Sequence, residues 1–243
     1  EDKGESVRRE ICLMMEEMGI LPECSHHEEG PGQNEIDFRY AGAVAAADNA
    51  VIFKSIVRTV AARNGLTADF SPKPLKDKAG SGMHVNFAVR SLKGEDTMSQ
   101  AIAGIMDRIE GLTAFLNPCR ESYERLGGNK APGYISWSSQ NRSQLIRIPA
   151  AEGEFKRAEL RSPDPEANPY LAFALLIYAG LDGIEKKLRL PECADINLFS
   201  APPQVLSKFK RLPEDLDKAK AAALACPLVR ERLPEELIRI YCC

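Results

Sequence analysis

The spacing of apolar residues along the chain predicts four long helices. In each, apolar side chains return every three or four positions, as one face of an α-helix requires, over residues 5–18, 43–64, 96–116 and 167–188. Gly19 and Gly65 suit the carboxyl-terminal caps of the first two helices. The fourth is apolar on nearly every side as far as Asp182, so we expect it deep in the core. Two shorter helices preceded by proline are predicted over residues 213–225 and 234–241.

Alternating polar and apolar residues predict extended segments between these helices. Residues 25–40 form two such pieces, separated by a kink at Gly30-Pro31-Gly32. Residues 66–90 predict a short strand, a loop rich in proline and lysine, the turn Gly80-Ser81-Gly82 and a second strand. One face of that second strand is apolar, and the other carries His84, Asn86 and Ala88. Residues 122–133 are predicted to be a glycine-rich loop of the kind that often covers a site.

The stretch from Asn141 to Pro165 concentrates charge on two further strand-like runs. They flank a loop that contains Pro149 and Gly153, which predicts an antiparallel hairpin. Alternation places three charged residues of the second run on one face, and the first run adds two arginines: Arg157, Glu159 and Arg161, then Arg142 and Arg147. Guanidinium groups bind phosphate and carboxylate through two hydrogen bonds, and a carboxylate beside them can hold a cation. A solvent-exposed strand face whose charged residues form salt bridges explains this stretch equally well.

The kinked segment supplies a second candidate for chemistry. The kink can bring Glu28 and Glu35 to a common point, as a hard cation requires of its carboxylate ligands. His26 shares a face with Glu28, whereas the adjacent His27 points the other way. An ordinary polar strand face is the alternative for this segment, and a surface histidine is the alternative for His84.

Composition excludes several classes of protein. The chain has 243 residues, 44% of them hydrophobic, and no linker divides it, so we expect a single domain over residues 1–243. Its 32 basic and 35 acidic residues are mixed throughout, which argues against a nucleic-acid surface. No apolar run is long enough to span a bilayer, and the charged opening lacks a signal peptide. Seven cysteines without a CxxC pair fit reduced thiols in the cytoplasm. The first residue is Glu1, so we expect the chain to be cut from a longer protein.

Four sequence blocks resemble the successive signatures of the C-terminal catalytic domain of type I glutamine synthetase. In chain order they are HHEEGPGQNEIDFRY, KAGSGMHVN, NRSQLIRIP and RAELRSPDPEANPYLAFALLIYAGLDGI. The resemblance implies an α+β fold, in which helices back a curved, mainly antiparallel sheet whose polar face is the site. It implies ligation of ammonia to the γ-carboxylate of L-glutamate through γ-glutamyl phosphate, giving glutamine for nitrogen metabolism. ATP is the implied co-substrate, Mg²⁺ or Mn²⁺ the implied cofactor, and a ring-shaped homo-oligomer the implied assembly.

The resemblance also implies roles for individual residues. The implied metal ligands are Glu28 and Glu35 nearer glutamate, and His84 and Glu159 nearer ATP. The implied contacts of the substrate glutamate are Arg125, Arg142, Arg161 and the Gly80 backbone. The implied contacts of ATP are the phosphate-binding arginines Arg142, Arg147 and Arg157, together with Tyr40 and Asn86. We place Arg142, Arg161 and the loop residue Lys130 among the catalytic groups. Phosphoryl transfer needs this chemistry, because two anionic groups must be brought together and their charge neutralised.

Three departures from the family pattern limit what the resemblance implies. The loop over the site reads Gly127-Gly128-Asn129-Lys130-Ala131-Pro132, with a lysine where the family has a glutamate that helps to bind and deprotonate ammonium. Ala79 replaces an asparagine that contacts glutamate. The family's N-terminal domain and a strand with paired metal-binding glutamates are absent. We therefore expect this chain alone to carry part of a site and to be inactive or nearly so.

Two alternatives stay open at this point. The first is a γ-glutamyl ligase that uses an organic amine, because a lysine at position 130 would repel NH₄⁺. The second is a non-catalytic relative that binds nucleotide or metal and regulates a partner.

Overall fold

The fold is known from a computed structural model that describes residues 4–91, 97–128, 130–149 and 157–243. Helices and short strands alternate along the chain. In order they are α1 (Glu5–Glu17), β1 (Pro22–His27), β2 (Asn34–Phe38), α2 (Ala43–Arg63), β3 (Val85–Phe87), α3 (Thr97–Leu116), α4 (Arg120–Arg125), β4 (Trp137–Ser138), β5 (Ile146–Arg147), β6 (Ala158–Leu160), α5 (Pro169–Glu185), α6 (Pro203–Leu206), α7 (Leu216–Ala225), α8 (Pro227–Arg232) and α9 (Glu235–Cys242).

The strands form two small sheets. The strands β1 and β2 pair antiparallel as a hairpin, and the second sheet has the order β3-β6-β5-β4. In the second sheet only the β4–β5 pair is parallel. Helices back both sheets, so the arrangement is the α+β fold with a mainly antiparallel sheet that the family resemblance implies.

The larger hydrophobic core lies behind the four-stranded sheet. Helix α3 runs through its centre, with Ile102, Ile109 and Leu112 fully buried. Helix α5 crosses α3 so closely that a side chain on Gly104 would put its Cβ 2.2 Å from the Ala179 carbonyl oxygen. The crossing therefore requires glycine, and it fixes the layer on which β6 rests.

A smaller core supports the β1–β2 hairpin. Ile11 and Met15 of α1 pack with Ile56 and Val60 of α2, as the helical spacing predicts. Ile36 and the neighbouring Phe38 close this core from the hairpin. The hairpin thereby presents its other face, which carries His26, Glu28 and Glu35, away from the apolar cluster.

The structure corrects several expectations. Residues 66–72 contain no strand, and the loop predicted from residue 122 begins with the end of helix α4. Helix α5 is not buried all round, because Ile177 and Leu181 are about half exposed.

Two other observations bear on the sequence predictions. The antiparallel pairing of β5 with β6 confirms the second hairpin, whose predicted loop residue Gly153 falls outside the described residues. Within the described part of the chain, no helix combines the length and apolar character needed to cross a membrane.

Candidate functional site

Glu159 is the centre of a buried charge cluster on the four-stranded sheet. Register places Asn86 of β3 and Arg147 of β5 on either side of it, on the same face. Arg147 Nε donates to one carboxylate oxygen at 2.6 Å, and Arg161 Nη1 donates to the other at 2.6 Å. His84 Nδ1 lies 3.1 Å from that second oxygen. The Glu159 side chain is only 7% exposed, so this carboxylate is almost fully enclosed by cationic and hydrogen-bonding partners.

The charge state of this cluster follows from its surroundings. Burial alone would raise the pKa of Glu159, but the His84 hydrogen bond and the Arg161 charge lower it to about 2. Burial is also the largest influence on His84, and it lowers the pKa of the imidazole despite the neighbouring carboxylate. At neutral pH Glu159 is therefore ionised and His84 neutral. If Nδ1 donates to Glu159, the His84 Nε2 atom keeps the lone pair that ligation of a metal requires.

Arg125 lies beneath the Gly80-Ser81-Gly82 turn. Its guanidinium donates to the carbonyl oxygens of Ser162 at 2.7 Å and Arg161 at 3.1 Å. A Cβ on Gly80 would come within 2.9 Å of Arg125 Cγ, and one on Gly82 within 2.6 Å of Arg125 Nη2. The turn therefore needs glycine so that its backbone can rest on this arginine.

A buried polar pair holds the segment that accepts these hydrogen bonds. Asn117, at the end of α3, donates from one amide nitrogen to the Ser162 carbonyl oxygen and to Asp164 Oδ2, both at 2.8 Å. Burial raises the pKa of Asp164 and lowers that of Arg125 to about 10, so Arg125 stays charged at neutral pH. This pair fixes the backbone that follows Arg161.

The β1–β2 hairpin carries the second charge cluster. His26 Nε2 lies 3.1 Å from Glu28 Oε1 and 3.9 Å from Glu35 Oε2. One ligand atom from each of these three residues lies within 4.8 Å of the others, which is close enough for one ion. Burial, Asp37 and Glu28 raise the pKa of Glu35, because partial burial and neighbouring carboxylates both disfavour its charged form.

Lys130 links the loop over the site to this hairpin. Its ammonium lies 2.9 Å from Glu29 Oε1 and 3.6 Å from Glu28 Oε2. Its carbonyl oxygen accepts a hydrogen bond of 3.4 Å from Arg161 Nη2. The hydrogen bond to Glu29 raises the pKa of Lys130, so the residue is a cation at the edge of both clusters.

The remaining predicted site residues are more exposed. Arg142 and Arg157 are exposed, although the Arg142 carbonyl oxygen accepts from Arg161 Nε at 3.1 Å and its charge influences Arg161. Asn86 is exposed beside Glu159, and Tyr40 is 87% exposed. The structure thus brings together Glu28 with Glu35, and His84 with Arg147, Glu159 and Arg161. It does not show Tyr40 or Arg157 in contact with either cluster.

Sequence reasoning missed several residues of the site. His26 joins the hairpin cluster from the face that strand alternation assigns to it and Glu28, but it is not among the metal ligands that the resemblance implies. Gln33 connects the hairpin to the glycine turn, because its Nε2 donates to the Gly80 carbonyl oxygen at 3.0 Å. Asn117 and Asp164 meet across 47 positions of sequence, and no local pattern indicates that contact.

The two groups of potential metal ligands, on the hairpin and on the four-stranded sheet, differ in how well they fit a divalent metal ion. The hairpin offers one imidazole and two carboxylates around a common point, and carboxylate oxygens suit Mg²⁺ or Mn²⁺. His84 and Glu159 also lie close enough to act together, but both oxygens of Glu159 already accept from arginines. A cation at Glu159 would have to share that carboxylate with Arg147 and Arg161.

Comparison with known proteins agrees with the order of the four sequence blocks. The family described as the glutamine synthetase catalytic domain matches residues 1–243. The chain is 44% identical over 233 residues to the glutamine synthetase of Clostridium saccharobutylicum, covering 90% of this chain and 53% of that protein. It is 47% identical over 211 residues to the glutamine synthetase of Staphylococcus epidermidis, covering 82% and 47%. The chain thus spans about half the length of the curated relatives it matches.

Solved structures share the fold over almost the whole chain. A complex of GmaS with ADP has a TM-score of 0.87 at 31% identity, covering 99% of this chain and 61% of the GmaS chain. GmaS without ligand has a TM-score of 0.84 at 32% identity, covering 98% and 59%. Together with the sheet and the clusters on its polar face, these matches show that the chain belongs to the glutamine synthetase catalytic-domain family.

Proposed function

We propose that this chain forms the catalytic part of a ligase that uses ATP to join ammonia to the γ-carboxylate of L-glutamate, giving glutamine through γ-glutamyl phosphate. The observation that carries the proposal is the convergence of His84, Arg147 and Arg161 on Glu159, under the glycine turn that covers Arg125. A family member with these groups on one face of a sheet has the charges that phosphoryl transfer requires.

The proposed step brings the glutamate γ-carboxylate in line with the terminal phosphate of ATP. Arg161 and Arg142 stabilise the developing negative charge, and Arg147 and Arg157 bind phosphate oxygens. Arg125 contributes its charge from beneath the glycine turn, whose Gly80 backbone contacts the substrate glutamate. When bound, Mg²⁺ or Mn²⁺ would neutralise phosphate charge, held by Glu28 and Glu35 on the hairpin and by His84 and Glu159 on the sheet.

The nucleotide site is proposed along the exposed edge of the sheet. Asn86 is exposed next to Glu159, and Tyr40 extends into solvent after β2. A similar structure, GmaS, is a complex with ADP, and the chain covers 61% of its length. This likeness supports nucleotide binding by the chain. We place the nucleotide on the polar face of the sheet, and propose glutamate, ammonium and ATP as the substrates of a ring-shaped, cytoplasmic homo-oligomer.

An organic amine is the second candidate for the acceptor. A lysine at position 130 places a positive charge where an ammonium ion would approach, and its ammonium is already paired with Glu28 and Glu29. Ammonia and a primary amine both attack in their neutral form, so the lysine charge disfavours the protonated form of either acceptor. The departures at Lys130 and Ala79 are the reason to consider an acceptor other than ammonia. The two functions share the phosphorylation of glutamate and differ only in the group that attacks γ-glutamyl phosphate.

Product identification tests the proposal. The protein in its cellular form is incubated with Mg-ATP, glutamate and either ¹⁵N-ammonia or a panel of primary amines, and the products are identified by mass spectrometry. Labelled glutamine with one phosphate released per amide supports the ammonia ligase. A different γ-glutamyl amide identifies the organic-amine ligase instead. Binding of ATP without glutamate-dependent phosphate release would identify a non-catalytic nucleotide-binding protein and contradict both.

A further inference from the structure

We infer that Lys130 is an internal competitor of the divalent cation at the β1–β2 hairpin, so that the loop over the site and a metal ion contend for the same carboxylate. The inference rests on the proposed metal site at Glu28 and Glu35. It adds a residue that sets how tightly that site holds its ion.

The contacts place the lysine charge within the hairpin cluster. Lys130 Nζ is 3.6 Å from Glu28 Oε2, while Glu28 Oε1 is 3.1 Å from His26 Nε2. The two oxygens of Glu28 therefore face different partners. A metal ion that used both oxygens would meet the lysine ammonium directly, and one that used Oε1 alone would bind a carboxylate whose charge is already partly neutralised.

The lysine is held in place from three directions. Glu29 accepts at 2.9 Å, Glu28 lies 3.6 Å away, and Arg161 Nη2 donates to the Lys130 carbonyl oxygen. Its backbone has a φ of 70°, in the left-handed region that a residue with a side chain adopts only where its surroundings stabilise it. These contacts fix the ammonium against the hairpin.

Charge arithmetic gives the direction of the effect. Glu28 and Glu35 carry two negative charges, and the Lys130 ammonium, which is shared with the nearer Glu29, offsets part of that charge. A divalent cation at the hairpin therefore gains less from Coulomb attraction while the lysine is present. Because coupling between two sites is reciprocal, a bound ion must also weaken the hold of Lys130 on Glu28. Metal loading would thus loosen the loop at its lysine.

The test is a titration of the purified chain with Mn²⁺, followed by electron paramagnetic resonance. Lys130→Gln should tighten the dissociation constant of the hairpin site by about three- to tenfold, because it removes one positive charge near the ion. Lys130→Arg, which keeps the charge, should stay close to the starting protein.

Lys218 offers a matched control. Its ammonium also pairs with two carboxylates, at 2.7 Å from Glu214 and 3.6 Å from Asp215, but it lies on α7 against the larger core. Lys218→Gln removes the same charge and should leave Mn²⁺ binding unchanged. Glu28→Gln removes the contested carboxylate, so adding Lys130→Gln to that variant should produce no further tightening.

The outcomes separate this inference from the proposed function. Equal Mn²⁺ affinity in Lys130→Gln and the starting protein would overturn the competition while leaving the metal site in place. The same tightening in the Glu28→Gln background, or in Lys218→Gln, would show a general charge effect and also overturn it. Absence of any Mn²⁺ signal that depends on Glu35 would remove the hairpin site itself. Glutamine formation is measured separately, so failure of the competition is distinguished from failure of the proposed function.

Discussion

The two acidic clusters of this chain use the same residue types to different physical effect. Glu159 is 7% exposed, and arginines saturate both of its oxygens. Glu35 is 37% exposed, and burial, followed by the neighbouring carboxylates Asp37 and Glu28, raises its pKa. The fold thus favours the charged form of Glu159 and disfavours that of Glu35. Because no arginine saturates the oxygens of Glu35, the hairpin cluster is the better place for an added cation.

The largest expected effect comes from removing the carboxylate of the buried cluster. Glu159→Ala leaves Arg147 and Arg161 facing each other without their partner, and should lower the free energy of unfolding by about 3–5 kcal/mol. Glu35→Ala should change it by less than about 1 kcal/mol, because the side chain is partly exposed and its charge is repelled. Urea denaturation of both variants measures the difference. Equal losses would contradict the distinction between the clusters.

Lowering the pH should change the contributions of Glu159 and Glu35 to stability in opposite directions. The folded pKa of Glu159 is about 2, below its ordinary 4.5, so its stabilisation is complete above pH 4.5 and is lost as the pH falls towards 2. The shift corresponds to about 3 kcal/mol. The folded pKa of Glu35 is raised, so its contribution is present at low pH and is lost as the pH rises through that pKa.

Differences between variants isolate these two contributions. The unfolding free energy is measured from pH 2 to 7 for the starting protein, Glu159→Gln and Glu35→Gln. The difference in unfolding free energy between the starting protein and Glu159→Gln should shrink as the pH falls. The unfolding free energy of Glu35→Gln should increase relative to that of the starting protein as the pH rises. Parallel curves for the two variants would show that their environments do not differ as described.

A divalent cation should stabilise the fold through the open cluster. Mn²⁺ at 100 times its dissociation constant should add about 2.7 kcal/mol to the free energy of unfolding, because it binds the folded state alone. Glu35→Gln should remove most of this gain. Thermal unfolding with Mn²⁺ and with a chelator measures it, and Ca²⁺ is a useful second ion since it accepts looser geometry. Full stabilisation in Glu35→Gln would place the ion elsewhere.

Substitution of Arg161 separates the effect of the guanidinium shape from the effect of its positive charge within the buried cluster. Its guanidinium donates to Glu159, to the Arg142 carbonyl oxygen and to the Lys130 carbonyl oxygen. Lysine keeps the charge but lacks the planar group of donors that makes these three contacts. Arg161→Lys should therefore lower the free energy of unfolding by about 1–3 kcal/mol. It should also raise the glutamate concentration needed for half-maximal activity. Calorimetry and steady-state kinetics measure the two effects, and no change in either would contradict the assigned contacts.

The sequence predicts the helices and strands of this fold better than the tertiary contacts between them. Helical spacing gives α1, α2 and α3 nearly to the residue, and strand alternation places Glu159 and Arg161 on one face of β6. The failures involve tertiary context. The exposed side of α5 looks buried in sequence because its residues are apolar, and residues 66–72 form no strand.

The same limit applies to the site. The proximity of Glu28 and Glu35 follows from a kink that the sequence shows, and the hairpin confirms it. The contacts of Lys130 with Glu29 and of Asn117 with Asp164 join distant segments. Such contacts depend on how loops lie across the sheet, which no periodic pattern encodes.

Arg157 provides the smallest expected effect and the sharpest separation of stability from ligand binding. The Arg157 side chain is exposed, whereas Arg147 on the adjoining strand donates to Glu159. Arg157→Ala should therefore change the free energy of unfolding by less than about 0.5 kcal/mol. If its guanidinium binds phosphate, the variant should still weaken Mg-ATP binding several-fold, which isothermal calorimetry measures. Arg63→Ala, an exposed arginine at the end of α2, is the matched control. Normal nucleotide affinity in the Arg157 variant would show that this residue does not bind phosphate. Phosphate binding would then be assigned to Arg147 and Arg142, which lie beside the Glu159 cluster.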